Sequence, residues 1–103
     1  MTSIKSPKSN IYISEKCVLT EREIEYLSLA SFGFKNKEIA KILSVTVGGV
    51  KKALEIIFQK INAKDRANAV TIAFVHNMIN VDILNYIADK YKVTGITNLE
   101  RLK

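Results

Sequence analysis

The sequence predicts an all-α fold of four helices with an additional C-terminal helix or helix extension. Between Thr20 and Ile61, apolar residues recur at helical spacing in three consecutive segments that tight turns separate. After Ile61, no glycine or proline interrupts the chain until Gly95. The chain has 103 residues, of which 48% are hydrophobic. It can therefore bury a modest helical core, but it is too short for an enzyme cleft together with a second domain.

The first helix is predicted to begin at a capping box. The Thr20 hydroxyl can accept a hydrogen bond from the amide of Glu23, and the Glu23 carboxylate can accept one from the amide of Thr20. Gly33 supplies the left-handed residue that ends the helix. The apolar face of this helix consists of Ile24, Leu27 and Ala30.

A second, short helix is predicted to follow, with the side chain of Asn36 as its cap. Its apolar stripe covers about two turns and consists of Ile39, Ala40 and Leu43. Ser44 and Val45 then form a turn, and Thr46 is suited to cap a third helix.

The third helix has two distinct faces. The apolar face consists of Val50, Leu54, Ile57 and Ile61. The opposite face, which we call the outward strip, consists of Gly48, Lys51, Lys52, Glu55 and Gln59. These five positions share one side of a helix, and such a strip has the dimensions to enter a DNA major groove. Three short helices ending in a basic one are typical of a helix-turn-helix DNA reader.

The charge distribution agrees with this interpretation. The formal net charge is +6, and the segment 35–66 holds eight basic residues against three acidic ones. A basic surface alone is a weak signal, because many solvated faces are rich in lysine. Its coincidence with the helix-turn-helix pattern is what favours double-stranded DNA as the partner.

The sequence resembles the LuxR-type (GerE-like, NarL-like) helix-turn-helix domain over roughly residues 19–70. The matching residues, in register, are Leu19, Thr20, Arg22, Glu23, Gly33, Asn36, Lys37, Glu38, Ile39, Ala40, Leu43, Thr46, Val50, Lys51, Lys60, Ile61, Arg66, Ala69 and Val70. The resemblance implies a four-helix domain whose third helix lies in the major groove and whose fourth helix often pairs two copies on DNA.

The resemblance also implies roles for individual residues. In that family, the positions of Lys51 and Lys52 usually face bases. The positions of Asn36, Lys37 and Thr46 usually lie near phosphates.

Two departures from the family pattern concern the third helix. Gly48 and Gly49 stand where the family commonly has a polar or basic residue and then Thr. Each glycine in a helix costs about 0.5 to 1 kcal/mol relative to Ala, so we expect the helix to fray at its start. Either the bare backbone approaches a phosphate closely, or the glycines weaken DNA reading. The second departure, Glu55, is expected to be a selectivity element or an ion-pair partner of Lys51 or Lys52.

Beyond Ile61, Asp65 can cap a fourth helix. The apolar pattern that follows fits one long helix with a coiled-coil seam. It fits equally a break at Asn80 and Asp82 with a separate fifth helix from about Ile83 to Tyr91. We expect this segment to pair two copies of the chain through Ile79, Ile83, Leu84, Tyr86 and Tyr91.

The chain divides into a flexible arm (1–17), the helix-turn-helix domain (18–79) and a C-terminal helical extension (80–103). Cys17 is the only cysteine and His76 the only histidine, so we expect no metal, no cofactor and no catalytic residues. With neither a signal peptide nor an apolar stretch of about 18 residues, we expect a cytoplasmic protein without a membrane partner.

The sequence therefore predicts a transcriptional regulator that binds DNA, with a second copy, a related regulator or RNA polymerase as protein partners. The alternative is a protein-interaction module or antagonist that pairs with a related regulator and binds DNA weakly. Gly48, Gly49 and Glu55 support the alternative.

Overall fold

The computed structural model describes residues 18–93 in full, and for residues 3–5 and 12–14 it describes the backbone. Five helices make up the domain: α1 (Glu21–Ser31), α2 (Asn36–Leu43), α3 (Val47–Lys60), α4 (Arg66–Val75) and α5 (Val81–Lys90). The predicted all-α fold is confirmed.

Two three-residue strands precede the domain, β1 (Ser3–Lys5) and β2 (Tyr12–Ser14). They pair antiparallel, with Ile4 opposite Ile13. This pairing was not predicted from the sequence. Cys17 lies outside the described residues.

The central helix of the domain is α1, which contacts each of the other four helices. Because it is surrounded, every residue from Ile24 to Ala30 is buried, including the polar Glu25 and Ser28. The other helices contribute one face each, as their apolar spacing predicts. These faces consist of Ile39, Ala40 and Leu43 on α2, Val50, Leu54 and Ile57 on α3, Ala69 and Ala73 on α4, and Ile83, Leu84 and Ile87 on α5.

Most predicted caps are confirmed. At α1, the amide of Glu23 donates to Thr20 Oγ1 (3.1 Å) and the amide of Thr20 donates to Glu23 Oε1 (2.9 Å). Thr46 accepts from the amide of Gly49 at 3.0 Å. The other two caps follow the same geometry: Asp65 accepts from Asn68 and Asn80 accepts from Ile83.

The predicted cap of α2 was wrong. Lys35, with an extended backbone, precedes the helix, and Asn36 is its first helical residue. The carboxylate of Glu38 accepts from the amide of Lys35 at 2.8 Å. This bond satisfies one of the amides that have no partner within the helix at its start. The Asn36 oxygen accepts from Arg66 Nη2 at 3.0 Å instead, which joins α2 to α4.

The C-terminal segment forms a separate fifth helix and not one long helix. Asn77 adopts a left-handed backbone (φ 56°) after α4, and Asn80 then caps α5. A left-handed residue ends an α-helix because it turns the chain out of the helical path. This break lets α5 fold back against α1.

Folding back changes the interpretation of the apolar stripe on α5. Ile79 and Ile83 are almost completely inaccessible to solvent and Leu84 is buried, all within the core of a single chain. The expectation that these three side chains face a second copy is therefore corrected, since they already pack in their own domain. Tyr86 and Tyr91 are half-buried.

Candidate nucleic-acid interface

The outward strip is held in place by the opposite face of α3. Val50, Leu54 and Ile57 are buried against α1 and α2, which fixes the rotation of the helix about its axis. All five residues of the outward strip, Gly48, Lys51, Lys52, Glu55 and Gln59, are consequently exposed. The sequence-predicted reading face is thus brought together on one surface.

The charges of the outward strip have no partner among residues 18–93. Among residues 18–93, no ion pair or hydrogen bond joins Glu55 to Lys51 or Lys52. The expectation that Glu55 pairs with a neighbouring lysine is therefore not met. A pair of this kind on an exposed helix is worth only about 0.2 to 0.5 kcal/mol, so its absence costs the fold little. These charges remain available to an external partner.

The start of α3 includes both glycines. The helix begins at Val47 because the Thr46 cap satisfies the amide of Gly49. A Cβ at Gly48 would meet no atom within 4 Å, whereas a Cβ at Gly49 would lie 3.1 Å from Thr46 Oγ1. Gly48 is therefore replaceable without steric conflict, while a side chain at Gly49 crowds the cap.

The residues expected near phosphates differ in their environments. Lys37 and Thr46 are exposed near the start of α2 and α3, respectively. Asn36 is half-buried and bonded to Arg66, which also donates to the carbonyl of Phe34 at 2.9 Å. Asn36 therefore links α2 and α4. Further exposed ammonium groups, Lys35 and Lys41, stand at the two ends of α2.

Lys60 has a positioning role that the sequence analysis missed. Its Nζ donates to Glu23 Oε1 at 2.8 Å and so fastens the last turn of α3 to the first turn of α1. Partial burial would raise the pKa of Glu23. Hydrogen bonds from Lys60 and from the Thr20 amide outweigh burial and hold that pKa below its ordinary value. The basic residue nearest the end of α3 is therefore committed to the fold.

A second charged group, also missed, joins α1 to α5. We call it the Glu25 cluster: Arg22, Glu25, Lys90 and Tyr91. Tyr91 donates to Glu25 Oε1 at 2.7 Å, Arg22 donates to the same oxygen at 3.1 Å, and Lys90 donates to Oε2. The Lys90 ammonium also lies 5.9 Å from the centre of the Tyr86 ring. No local sequence pattern indicates this contact, because Glu25 and Lys90 are 65 residues apart.

The environment of Glu25 keeps it ionised. Only 6% of the residue is exposed, and this burial would raise its pKa. Hydrogen bonds from Lys90, Tyr91 and Arg22 outweigh burial and lower the pKa of the carboxyl. The hydrogen bond to Glu25 raises the pKa of Lys90. Both groups are therefore charged at neutral pH, and they bind α5 to the domain.

An exposed apolar patch lies where α4 ends and α5 begins. It consists of Phe74, Val75 and Val81, which are 42%, 71% and 66% exposed. We call it the α4–α5 corner. They are three of the large hydrophobic side chains that residues 18–93 leave exposed.

The described part of the chain carries neither a membrane-spanning helix nor a metal-holding group of side chains. No described helix is long and apolar enough to cross a membrane. Within the same residues, no group of histidine, cysteine, aspartate and glutamate has the arrangement that could hold a metal ion.

Comparison with known proteins identifies the family of this chain. The model of the family described as "Bacterial regulatory proteins, luxR family" matches residues 17–73, which is more than half of the chain. Relatives include response regulator protein VraR of Staphylococcus aureus (strain Mu3 / ATCC 700698), and the proteins of the same name from Staphylococcus saprophyticus and Staphylococcus epidermidis. Each is 44% identical over 62 residues, which make up 60% of this chain and 30% of the relative. No solved structure matched significantly.

Proposed function

The chain belongs to the luxR family of bacterial regulatory proteins, and we propose that it regulates transcription by placing α3 in the major groove of double-stranded DNA as a homodimer. The matched region is a LuxR-type DNA-binding domain. Since it covers 30% of the length of the relatives, what those proteins do as a whole enters here only as part of the proposal.

The observation that carries the proposal is the outward strip. Two adjacent ammonium groups, Lys51 and Lys52, project from the face of α3 opposite the core, and no carboxylate of residues 18–93 neutralises them. Phosphates attract such groups, and binding releases counterions from the DNA. The major groove admits an α-helix, so one helix can bring these groups to base edges and phosphates together.

The second helix extends the basic surface. Lys37 and Lys41 on α2 and Lys35 just before it are exposed, and α2 packs against α3. In a helix-turn-helix domain the helix before the reading helix crosses the DNA backbone. Lysines on α2 would therefore contact phosphates while α3 contacts bases.

The dimer contact is proposed at the α4–α5 corner. Of the five residues predicted from sequence, Ile79, Ile83 and Leu84 are buried in the core, whereas Phe74, Val75 and Val81 present apolar surface to solvent. Helix-turn-helix dimers hold their two reading helices about one DNA turn apart, on the order of 34 Å, so we expect a homodimer to bind an inverted repeat of that spacing. Sedimentation of the full chain bound to an inverted repeat measures this. A single copy per repeat at saturation would rule the homodimer out.

DNA binding is tested by replacing both lysines of the outward strip. The test variant carries both Lys51→Ala and Lys52→Ala. Its control is Lys92→Glu, at an exposed position after α5. Each change lowers the formal net charge by two, from +6 to +4. Binding to random-sequence duplex DNA is titrated over a range of salt concentrations.

The double alanine variant is expected to bind more weakly and to reduce the salt slope by about two, because two cationic groups that displace counterions from the DNA are lost. Lys92→Glu is expected to keep the wild-type slope. Equal slopes for the double variant and the wild type would contradict the assignment of the outward strip.

A second candidate function is supported by Glu55 and the α4–α5 corner. A carboxylate in the strip repels phosphates, and an exposed apolar patch is suited to a protein partner. An antagonist that pairs with a related regulator would show both features. Such an antagonist would bind the regulator, and the wild-type chain would bind duplex DNA no more tightly than the double alanine variant does.

A further inference from the structure

We propose that Glu55 selects a cytosine in the DNA site by accepting a hydrogen bond from the N4 amino group in the major groove. The proposal rests on the proposed function, since it concerns what the outward strip reads once α3 lies in the groove. It makes Glu55 a specificity-determining residue and predicts a C·G base pair at the position that it contacts.

The position of Glu55 supports the proposal. It lies one turn beyond Lys51 and one turn before Gln59 on the exposed face of α3. Together with Lys52, Ile56 and Gln59, it lines an open groove beside the helix. Any duplex that brings Lys51 and Gln59 to its base edges therefore brings Glu55 there too.

The carboxylate is also uncommitted. Lysines stand three and four residues before it, yet no ion pair or hydrogen bond within residues 18–93 engages it. By contrast, Glu25 and Glu23 are both held by cationic side chains. Glu55 can therefore accept a hydrogen bond from DNA without breaking one inside the protein.

The base preference follows from what each base presents. An ionised carboxylate only accepts hydrogen bonds. In the major groove cytosine presents the N4 donor and no acceptor, whereas thymine presents the O4 acceptor, which repels a carboxylate. Adenine presents a donor beside the acceptor N7, and guanine presents two acceptors. Cytosine is thus the one base whose major-groove edge offers a hydrogen-bond donor without an acceptor beside it, as the Glu55 carboxylate requires.

The neighbouring lysines complement guanine, the base that pairs with cytosine. Lysine donates to O6 and N7 of guanine. Lys51 and Glu55 are separated by four residues, about 6 Å along the helix axis, which is just under two base-pair steps of about 3.4 Å. A site with guanine and cytosine within about two base pairs would therefore satisfy both residues.

The glycines concentrate base reading on this part of the helix. Gly48 and Gly49 carry no side chain that can reach a base edge, although they occupy the first turn of α3. Discrimination between sequences must then come from Lys51, Lys52, Glu55 and Gln59. Glu55 is the acidic member of this set and the one that rejects thymine and guanine.

The experiment has two stages and uses the full chain. A pool of duplexes with a random centre is first selected with the wild-type chain, which yields the preferred sequence. Wild type, Glu55→Gln, Glu55→Ala and the control Asp89→Asn are then titrated against that duplex and against duplexes with each C·G pair changed to T·A or to A·T. Asp89 is exposed on α5, and its change to Asn removes one carboxylate charge, as Glu55→Gln does.

The wild type and Asp89→Asn are expected to lose about tenfold in affinity when one particular C·G pair becomes T·A. Glu55→Ala is expected to lose discrimination at that pair, because the cytosine duplex loses its hydrogen bond while the T·A duplex is freed of repulsion between the carboxylate and thymine O4. Glu55→Gln is expected to accept adenine there, because an amide can bond to N6 and N7 together.

Two results would overturn the inference. One is a Glu55→Ala variant that gains affinity but keeps every base preference of the wild type, which would make Glu55 a general repulsive charge. The other is a selected sequence that contains no discriminated C·G pair. Failure of the proposed function is distinct from both, since the wild-type chain would then select no duplex at any salt concentration.

Discussion

The Glu25 cluster and the outward strip both consist of charged side chains, but they differ in what those charges contact. In the Glu25 cluster, Arg22, Lys90 and Tyr91 all donate to one buried carboxylate. In the outward strip, Lys51, Lys52 and Glu55 are exposed and have no partner among residues 18–93. The comparison separates charges that hold the fold from charges that are left to an external partner.

The difference has a physical origin in the two helix faces. α1 is surrounded by four helices and Glu25 lies on its buried part, so this carboxylate must be compensated within the chain or pay a large desolvation cost. α3 lies at the periphery and buries one face, so its other face can carry uncompensated charge in water at little cost. Changes in the first region should affect stability, and changes in the second should affect binding.

The largest expected effect tests the contact between α1 and α5. Ile83→Ala should lower the free energy of unfolding by about 3 kcal/mol, because it removes a fully buried side chain and leaves a cavity. Denaturant unfolding measures the change. Val81→Ala, at an exposed neighbouring position, is the control and should change stability by less than about 0.5 kcal/mol. Equal effects of the two variants would mean that α5 is not part of the core.

An intermediate effect tests the Glu25 cluster. Lys90→Met should lower stability at neutral pH by about 1 to 2 kcal/mol, a value reduced because Lys90 is partly exposed. The folded pKa of Glu25 is lowered, so its contribution is present above its ordinary pKa and is lost as pH falls through the folded value. The folded pKa of Lys90 is raised, so its contribution is lost as pH rises through that value.

The difference between wild type and Lys90→Met should therefore be greatest from about pH 5 to about pH 10 and shrink on either side. Thermal unfolding across pH measures it, with Lys92→Met, which removes an exposed ammonium one residue beyond Tyr91, as the control. A difference that stays constant from acidic to alkaline pH would refute the charge interaction and leave only lost packing.

The smallest expected effect is in the outward strip. Gly48→Ala should raise stability by about 0.5 to 1 kcal/mol, because the added Cβ meets no atom and the helix gains propensity. Gly49→Ala should gain less, since its Cβ would lie 3.1 Å from Thr46 Oγ1. A larger gain at Gly49 than at Gly48 would contradict the role of the Thr46 cap. Titration of Gly48→Ala with DNA also separates the two interpretations of the glycines, since affinity rises if they only weaken the helix.

Local patterns predicted much of the fold. Caps at Thr20, Thr46 and Asp65 were identified because each depends on residues within three positions along the chain. The cap of α2 was misassigned to Asn36, because Asn is a good cap in isolation and its actual partner, Arg66, lies 30 residues away. The outward strip was predicted in full, since its five members belong to one helix face.

By itself the sequence determined the all-α class, the first four helices and the exposed face of α3, because helix periodicity and capping act over a few residues. Only the tertiary structure decided that α5 is a separate helix packed on α1, that Ile79, Ile83 and Leu84 are core residues, and that Lys90 and Tyr91 satisfy Glu25. An apolar helix face can be buried by its own domain or by a second copy, and the spacing of its residues is the same in both cases. The choice depends on where the chain turns and on which surface the apolar face can then reach. Here the chain turns at the left-handed Asn77, and the surface within reach is the side of α1 that α5 covers.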